Sequence, residues 1–289
     1  MVDAAGIEKL VGNVAETIRR LERGEQRPTV ARNASTVILA RDGEHGLEIY
    51  LLRRAASMSF AAGAFVYPGG SVDERDCDLA DGAWVGPPPA QWARTLSSSE
   101  AVARELVCAA VRETFEESGV LLVGPDAERV VEDLSGADWE ADRLALLDRS
   151  VSMAELLTRR GLVLRADLLF AWAHWITPDV ETRRFDTRFF LAALPDGQRT
   201  RNVGGEADQV AWVRPGEAVA ASERGEMLLM PPTLTTLREL AGFASVANLL
   251  AVARTRDVVT VHPKLIIDDN GKVAFLTPDD PRYPGSLPG

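Results

Sequence analysis

The stretch AAVRETFEESGVLL, from Ala109 to Leu122, combines a helical pattern with an unusual concentration of charge. Ala, Val, Arg, Glu and Phe sustain a helix, and Gly119 is a typical residue at which a helix stops. The apolar residues 120–123 follow immediately. The stretch therefore predicts a helix that runs into a buried strand.

This helix is predicted to have a charged side and an apolar side. Residues three and four apart lie on one helix face, so Glu113, Glu116 and Glu117 should project together, with Arg112 beside them. The same spacing gives a second stripe suited to packing on a sheet, formed by Cys108, Val111 and Phe115.

Three carboxylates on one face repel one another. Like charges four residues apart cost an isolated helix roughly 0.2–0.5 kcal/mol per pair, so an offsetting partner is expected. One interpretation is a solvated face that Arg112 partly neutralises. The other is a site for a hard divalent cation such as Mg²⁺ or Mn²⁺, which prefers oxygen ligands. The three glutamates alone do not decide between them.

The segment AFVYPGGSVDERD, residues 64–76, supplies further context. It begins with an apolar run typical of a strand, and Pro68, Gly69 and Gly70 then predict a tight turn. A pair of glycines also lets a ligand approach the backbone closely. We therefore assign Gly69 and Gly70 to substrate binding.

Taken together, Gly70 and the run from Arg112 to Val120 resemble the signature of the Nudix hydrolases, G-x5-E-x7-R-E-U-x-E-E-x-G-U. Thr114 stands where an aliphatic residue is usual. The resemblance implies an α/β fold, the Nudix α/β/α sandwich with a mixed sheet and here with additional helices. It also implies metal-dependent hydrolysis of a diphosphate linkage.

The first half of the signature is interrupted. Gly70 and Arg112 lie 42 positions apart where the signature has 14, so 28 residues are inserted. The carboxylate that supports the arginine is left open among Asp73, Glu74 and Asp76. The insert, at about residues 77–98, is predicted to be a long surface loop with a helical turn, and a serine among residues 97–99 should start the charged helix.

An interrupted signature of this kind resembles the branch of peroxisomal-type coenzyme A diphosphatases and their bacterial relatives. Gly63 and the residues Tyr67 to Gly70 agree with that branch, whereas Ser59 stands where it has an arginine. The implied reaction is cleavage of coenzyme A or acyl-coenzyme A to 4'-phosphopantetheine and 3',5'-ADP. Two alternatives remain, namely a Nudix hydrolase of ADP-ribose, NADH or dinucleoside polyphosphates, and a non-catalytic Nudix-fold ligand sensor.

The resemblance also implies roles for individual residues. Glu113, Glu116 and Glu117 would hold Mg²⁺ or Mn²⁺, and Arg112 would orient a neighbouring glutamate by bidentate pairing. The general base is either Glu113 or Glu206, and Glu206 is equally well read as a surface turn residue.

Two arginines and a histidine outside the signature have competing interpretations. Arg184 and Arg188 could reach the phosphates of a coenzyme A-like substrate, but Asp186 between them also predicts a structural salt bridge. His174 lies in an apolar, Trp-rich strand, where a buried, hydrogen-bonded histidine is expected rather than a catalytic one.

The 289-residue chain carries a net charge of −11, which disfavours binding to nucleic-acid polymers because such binding rests on phosphate neutralisation. No apolar stretch reaches the roughly eighteen residues of a membrane span. We expect a cytoplasmic enzyme with a small nucleotide-like substrate, no membrane partner and a possible homodimer. The predicted organisation is an N-terminal packing helix (1–30), a Nudix domain (31–230) with insertions at about 77–98 and 125–160, and C-terminal helices with a hairpin (231–289).

Overall fold

The computed structural model describes residues 14–55, 61–73, 75, 78–80, 82–202 and 207–283. By their contacts, the residues group into two compact units. The first draws on Met1–Asn33, His174–Thr187 and Val259–Gly289, and the second on Ala34–Ala173 and Arg188–Val258.

The sheet of the second unit is built around a long hairpin. Strand β1 (Arg32–Gly43) pairs antiparallel with β2 (Gly46–Arg54), and Gly43 lies opposite Gly46. Both strands alternate apolar side chains on two buried faces, which explains their continuous apolar sequence. The turn between them occupies residues 44 and 45, because Asp42 and Gly43 still pair with β2.

The predicted tight turn at Pro68 to Gly70 is wrong. Strand β3 (Phe65–Val66) pairs with β2, and the glycines belong to a second short strand, β4 (Gly69–Ser71). Thr36 of β1 lies opposite Gly69, and Ser35 lies opposite Gly70. Pairing with a distant strand therefore overrides the local preference of a Gly-Gly sequence for a turn.

The later strands complete the sheet. They are β8 (Phe170–Ile176), β9 (Phe185–Ala193) and β10 (Ala207–Val213), and the strand order is β10-β2-β1-β9-β8. A small separate sheet has the order β5-β7-β6, formed by Trp84–Val85, Val163–Arg165 and Val123–Gly124.

The charged helix is α3 (Glu100–Ser118), and its ends match the sequence signals. The Ser99 side chain accepts a hydrogen bond from the Val102 amide at the N-terminus, while Gly119 adopts a left-handed conformation at the C-terminus. The predicted apolar stripe is fully buried, and the Ser35 hydroxyl of β1 donates to the Leu106 carbonyl. Helix α3 is thus buried through this apolar stripe and is joined to β1 by a hydrogen bond.

The predicted strand after α3 is shorter than expected. Only residues 123 and 124 pair as a strand, although residues 120–122 are fully buried. The Leu121 amide donates to the Gln198 side-chain carbonyl, and the Gln198 amide group donates back to the Leu121 carbonyl. A side chain thereby supplies the pairing that a neighbouring strand would otherwise provide.

The insertion before α3 is more ordered than the predicted surface loop. It contains β5 and the helix α2 (Pro89–Thr95). Trp92 and Leu96 are buried, and the Trp92 ring makes an edge contact with Phe190 at a centroid distance of 5.7 Å. The insertion therefore contributes to the core, because its apolar residues recur four apart on one side of α2.

The second unit contains further helices on either side of β8 to β10. The second insertion forms two helices, α4 (Ala137–Leu147) and α5 (Met153–Arg160). Three more follow β10, namely α6 (Pro215–Glu223), α7 (Pro231–Leu240) and α8 (Val246–Ala253). Helices and a mixed sheet confirm the predicted α/β/α fold class.

The first unit contains a helix, α1, over residues 14–22, which lies within the predicted N-terminal helix and ends before Gly24. Strand β11 (Thr260–Val261) pairs in parallel with His174 and Trp175. The hairpin predicted in the C-terminal segment is present, formed by β12 (Lys264–Ile267) and β13 (Val273–Leu276). Within the described ranges, no helix is both long enough and apolar enough to cross a membrane.

Candidate active site

The C-terminal half of α3 brings the predicted carboxylates together at the sheet. The Glu113 and Glu116 side chains are only 12% and 7% exposed, and Glu117 is partly buried. A solvated face would leave such side chains in water. The burial therefore contradicts the purely solvated interpretation of this helix face and requires partners for the charges.

Arg112 is one of those partners. Its Nη1 atom lies 2.9 Å from Glu113 Oε1 and 3.1 Å from Glu116 Oε1, and its Nη2 donates to the Ser71 carbonyl of β4 at 2.9 Å. The guanidinium bridges two carboxylates through one nitrogen and ties α3 to β4. Its bidentate pairing with a neighbouring glutamate stays a prediction.

The two glycines of β4 contact different glutamates. The Gly69 amide donates to Glu117 Oε2 at 2.7 Å. A Cβ atom at Gly70 would lie 2.5–2.7 Å from the carboxylate atoms of Glu113, closer than van der Waals contact permits. Glycine at position 70 therefore lets β4 approach the Glu113 carboxylate without displacing it.

Tyr50 of β2 is a neighbour of the site that the sequence analysis missed. Burial raises the pKa of its phenol, and the negative charge of Glu117 raises it further. The hydroxyl donates to the Arg201 carbonyl at 3.2 Å. No local signal identifies Tyr50, since it appears in the sequence as one apolar position of a strand.

One of the candidate supporting carboxylates can be placed. Hydrogen bonds from Arg75 hold the pKa of Asp73 well below its usual range, and the charge of Arg112 lowers it as well. Asp73 therefore lies within electrostatic reach of Arg112. Glu74, Asp76 and Glu206 lie outside the described residues, so their predicted roles stay predictions.

Arg184 and Arg188 have the surroundings of structural arginines. In the first unit, Arg184 donates to the carbonyls of Thr29 and Thr177 and lies 2.7 Å from Asp179. In the second unit, the buried Arg188 donates to the Leu96 carbonyl through two nitrogens. These contacts fit the structural alternative, and substrate binding by either arginine stays a prediction.

His174 is buried and hydrogen-bonded, as expected from the sequence. Its Nε2 atom lies 2.5 Å from Asp186 Oδ1, and its Nδ1 atom lies 2.7 Å from the Thr260 hydroxyl oxygen. Asp186 therefore pairs with His174 within the first unit.

Comparison with known proteins places this arrangement in a family. A family profile described as the NUDT19 Nudix domain matches residues 89–240, more than half of the chain and all of α3. The human protein named acyl-coenzyme A diphosphatase NUDT19 is 30% identical over 278 residues, which cover 81% of this chain and 72% of that protein. The chain belongs to the NUDT19 Nudix domain family.

Two further relatives agree with this assignment. The chicken protein named acyl-coenzyme A diphosphatase NUDT19 is 26% identical over 316 residues, which cover 88% of this chain and 82% of that protein. The crystal structure of a Nudix hydrolase from Alicyclobacillus acidocaldarius is similar with a TM-score of 0.65 and 28% identity, over 77% of this chain and 96% of that one. The predicted resemblance to the Nudix hydrolases is thus confirmed in both sequence and fold.

The carboxylates of this Nudix site are not gathered into a metal cage. Among the residues that the structure describes, no group of three or more His, Cys, Asp and Glu side chains converges closely enough to hold a metal ion. The donor chemistry nevertheless fits a hard divalent cation, since Glu113 and Glu116 already face one cationic nitrogen of Arg112. Glu117, which accepts a hydrogen bond from the Gly69 amide, would supply a third carboxylate for such a cation from the same end of α3.

Proposed function

We propose that this Nudix hydrolase cleaves the diphosphate linkage of coenzyme A or acyl-coenzyme A, giving 4'-phosphopantetheine or its acyl derivative and 3',5'-ADP. The observation that carries the reaction is the packing of Glu113 and Glu117 against the two glycines of β4, with Arg112 joining Glu113 to Glu116. The substrate is inferred from the human and chicken relatives, both named as acyl-coenzyme A diphosphatases.

In this proposal, Glu113, Glu116 and Glu117 would hold Mg²⁺ or Mn²⁺. When bound, the ion supplies charge neutralisation on the diphosphate and a water molecule with a lowered pKa. Arg112 keeps the Glu113 and Glu116 carboxylates side by side, and its positive charge offsets their mutual repulsion.

The remaining roles belong to the backbone and to a proton acceptor. We assign Gly69 and Gly70 to substrate binding, because a backbone without side chains lets a ligand approach closely. A carboxylate must take the proton of the attacking water, and we assign this role to Glu113 or Glu206. The cytoplasmic location and the homodimer are further proposals that follow from the sequence.

The test is a substrate panel of coenzyme A, an acyl-coenzyme A, ADP-ribose, NADH and a dinucleoside polyphosphate, each with Mg²⁺ and with Mn²⁺. Products are identified by mass. We expect 3',5'-ADP from the two coenzyme A compounds, with higher kcat/KM than for the other substrates. Clear preference for ADP-ribose, NADH or the dinucleoside polyphosphate would overturn the coenzyme A assignment. Absence of cleavage of every compound would favour a ligand sensor.

A further inference from the structure

We propose that Arg143 and Arg201, joined by Glu140, form an arginine bracket that positions the metal-binding end of α3. This inference rests on the proposed function, because it concerns the carboxylates assigned to the metal. It gives the second insertion a role in the reaction, since Arg143 and Glu140 both belong to α4.

The bracket begins with a buried guanidinium. Arg143 is 2% exposed, and its Nη1 atom donates to the backbone carbonyl of Glu116 at 2.9 Å. Its Nε and Nη2 atoms bind the two carboxylate oxygens of Glu140 at 3.1 and 2.6 Å. This bidentate pair fixes the plane of the guanidinium and aims the remaining nitrogen at α3.

Arg201 completes the bracket from the other side. Its backbone amide donates to the Ser118 carbonyl at 3.0 Å, and its Nη2 atom lies 3.0 Å from Glu140 Oε2. Its side chain packs against Gly119, where a Cβ atom would lie 2.6 Å from Arg201 Nε. Glu140 therefore links two arginines that reach successive parts of one helix end.

Helix physics explains why this end needs support. The last four carbonyls of a helix have no partner within the helix, so the final turn frays unless other groups bind them. In α3, the Phe115 carbonyl accepts a hydrogen bond from the Gly119 amide. The Glu116 carbonyl accepts one from the Arg143 side chain, and the Ser118 carbonyl accepts one from the Arg201 amide. Glu116 and Glu117 lie within this turn, so the bracket fixes the backbone that carries them.

The positive charge of the two arginines also stabilises the C-terminal end of α3. Cations near a helix C-terminus are favourable because they oppose the partial negative charge of the free carbonyls. The hydrogen bonds from Arg143 also lower the pKa of Glu140, which keeps the linking carboxylate ionised. Arg143 and Arg201 bind backbone carbonyls of α3 and the Glu140 carboxylate, so they are positioning residues and not ligands.

The experiment compares Arg143→Met with the control Asp142→Asn. Asp142 lies in the same helix but pairs with Arg159 and Arg160 of α5, so its substitution weakens the insertion without touching α3. For each variant, Mn²⁺ affinity is measured by electron paramagnetic resonance of the free ion, and kcat, KM and the Mg²⁺ dependence are measured with acyl-coenzyme A. Thermal unfolding reports the fold.

We expect Arg143→Met to weaken Mn²⁺ binding by about 10-fold or more, a typical cost of losing a group that supports metal ligands. Its kcat should fall while KM for acyl-coenzyme A changes little. Asp142→Asn should lower the unfolding temperature and leave Mn²⁺ affinity unchanged. The proposal would be overturned if wild type and Arg143→Met bound Mn²⁺ with equal affinity. It would also be overturned if Asp142→Asn lost as much Mn²⁺ affinity as Arg143→Met.

Two outcomes separate this inference from the proposed function. If the wild type cleaves no diphosphate but binds Mn²⁺, the proposed function fails while the Mn²⁺ comparison still decides the bracket. If Arg143→Met does not fold, Glu140→Gln carries the test, because it removes the linking charge but keeps the side-chain shape. A weaker Mn²⁺ affinity in Glu140→Gln then supports the bracket, and an unchanged affinity contradicts it.

Discussion

At the scale of the residue, neighbouring glycines of β4 have separate tasks. A Cβ atom at Gly70 would meet the flexible end of the Glu113 side chain, whereas a Cβ atom at Gly69 would meet the Ser35 carbonyl and the Thr36 Cα atom. A carboxylate can rotate away from a new methyl group, but a paired backbone strand cannot. The two glycines should therefore differ in what their substitution damages.

Gly70→Ala should reduce activity much more than stability. The added methyl group displaces the Glu113 carboxylate, and a misplacement of about 1 Å at a reacting centre can cost on the order of 100-fold in rate. The measurement is kcat with acyl-coenzyme A together with the urea midpoint. Activity within about twofold of wild type would show that the position of Glu113 is not critical.

Gly69→Ala should mainly destabilise the fold. The methyl group pushes β4 away from β1, and overpacking of this kind costs typically about 1–3 kcal/mol of unfolding free energy. Equilibrium urea unfolding measures this loss, with Gly70→Ala as the matched neighbour. A larger stability loss in Gly70→Ala than in Gly69→Ala would contradict the assignment of the two contacts.

At the scale of the element, the local sequence predicted where α3 begins and ends, but it did not predict which distant strands pair. Ser99 and Gly119 mark the ends of α3 because caps are set by residues at the helix end itself. The glycines of β4 were interpreted as a turn because their pairing with residues 34–36 is invisible in the local sequence. The insertion before α3 was interpreted as a loop because its run of prolines obscured the buried face of the short helix that follows.

Trp92→Ala tests whether this insertion belongs to the core. Trp92 is 4% exposed and contacts the Phe190 ring, so its truncation should cost roughly 3–5 kcal/mol of unfolding free energy. A surface loop would lose almost nothing. Chemical denaturation distinguishes the two, and a loss below about 0.5 kcal/mol would restore the loop interpretation.

The capping box of α5 gives a pH-dependent prediction. The Ser152 amide and hydroxyl lower the pKa of Glu155 by hydrogen bonding to its carboxylate. Because the folded pKa is depressed, the stabilisation is complete above the ordinary Glu pKa of 4.5 and is lost as pH falls through the lower folded value.

Glu155→Gln keeps the shape of the side chain and removes this ionisation. We expect the variant to be less stable than wild type at pH 7 and the difference to shrink as pH falls below about 4.5. Thermal unfolding at pH 7, 5 and 3.5 measures it. A difference that is constant across this range would show that the charge of Glu155 contributes nothing to the cap.

At the scale of the whole molecule, the sequence predicted only the part of the candidate site whose residues are close together in the chain. Arg112 and the three glutamates lie on one helix, so their spacing alone places them on one face. Tyr50, Arg143 and Arg201 reach the same helix end from three distant segments, and each looks ordinary in its own local sequence. Their roles follow from the tertiary fold, which no local pattern specifies.

The central claim is that the carboxylate face of α3 is a metal-dependent hydrolytic site, and Glu117→Gln tests it most directly. Glutamine has nearly the shape of glutamate and retains an oxygen that can accept from the Gly69 amide, so the fold should persist. What it loses is the anionic charge that a hard cation requires.

The measurement is the rate at which wild type and Glu117→Gln release 3',5'-ADP from acyl-coenzyme A at saturating Mg²⁺, with unfolding temperature recorded for both. We predict that Mg²⁺ is required by the wild type and that the variant loses more than about 100-fold in kcat at an unchanged unfolding temperature. Release of 3',5'-ADP by Glu117→Gln at the wild-type rate would contradict the account.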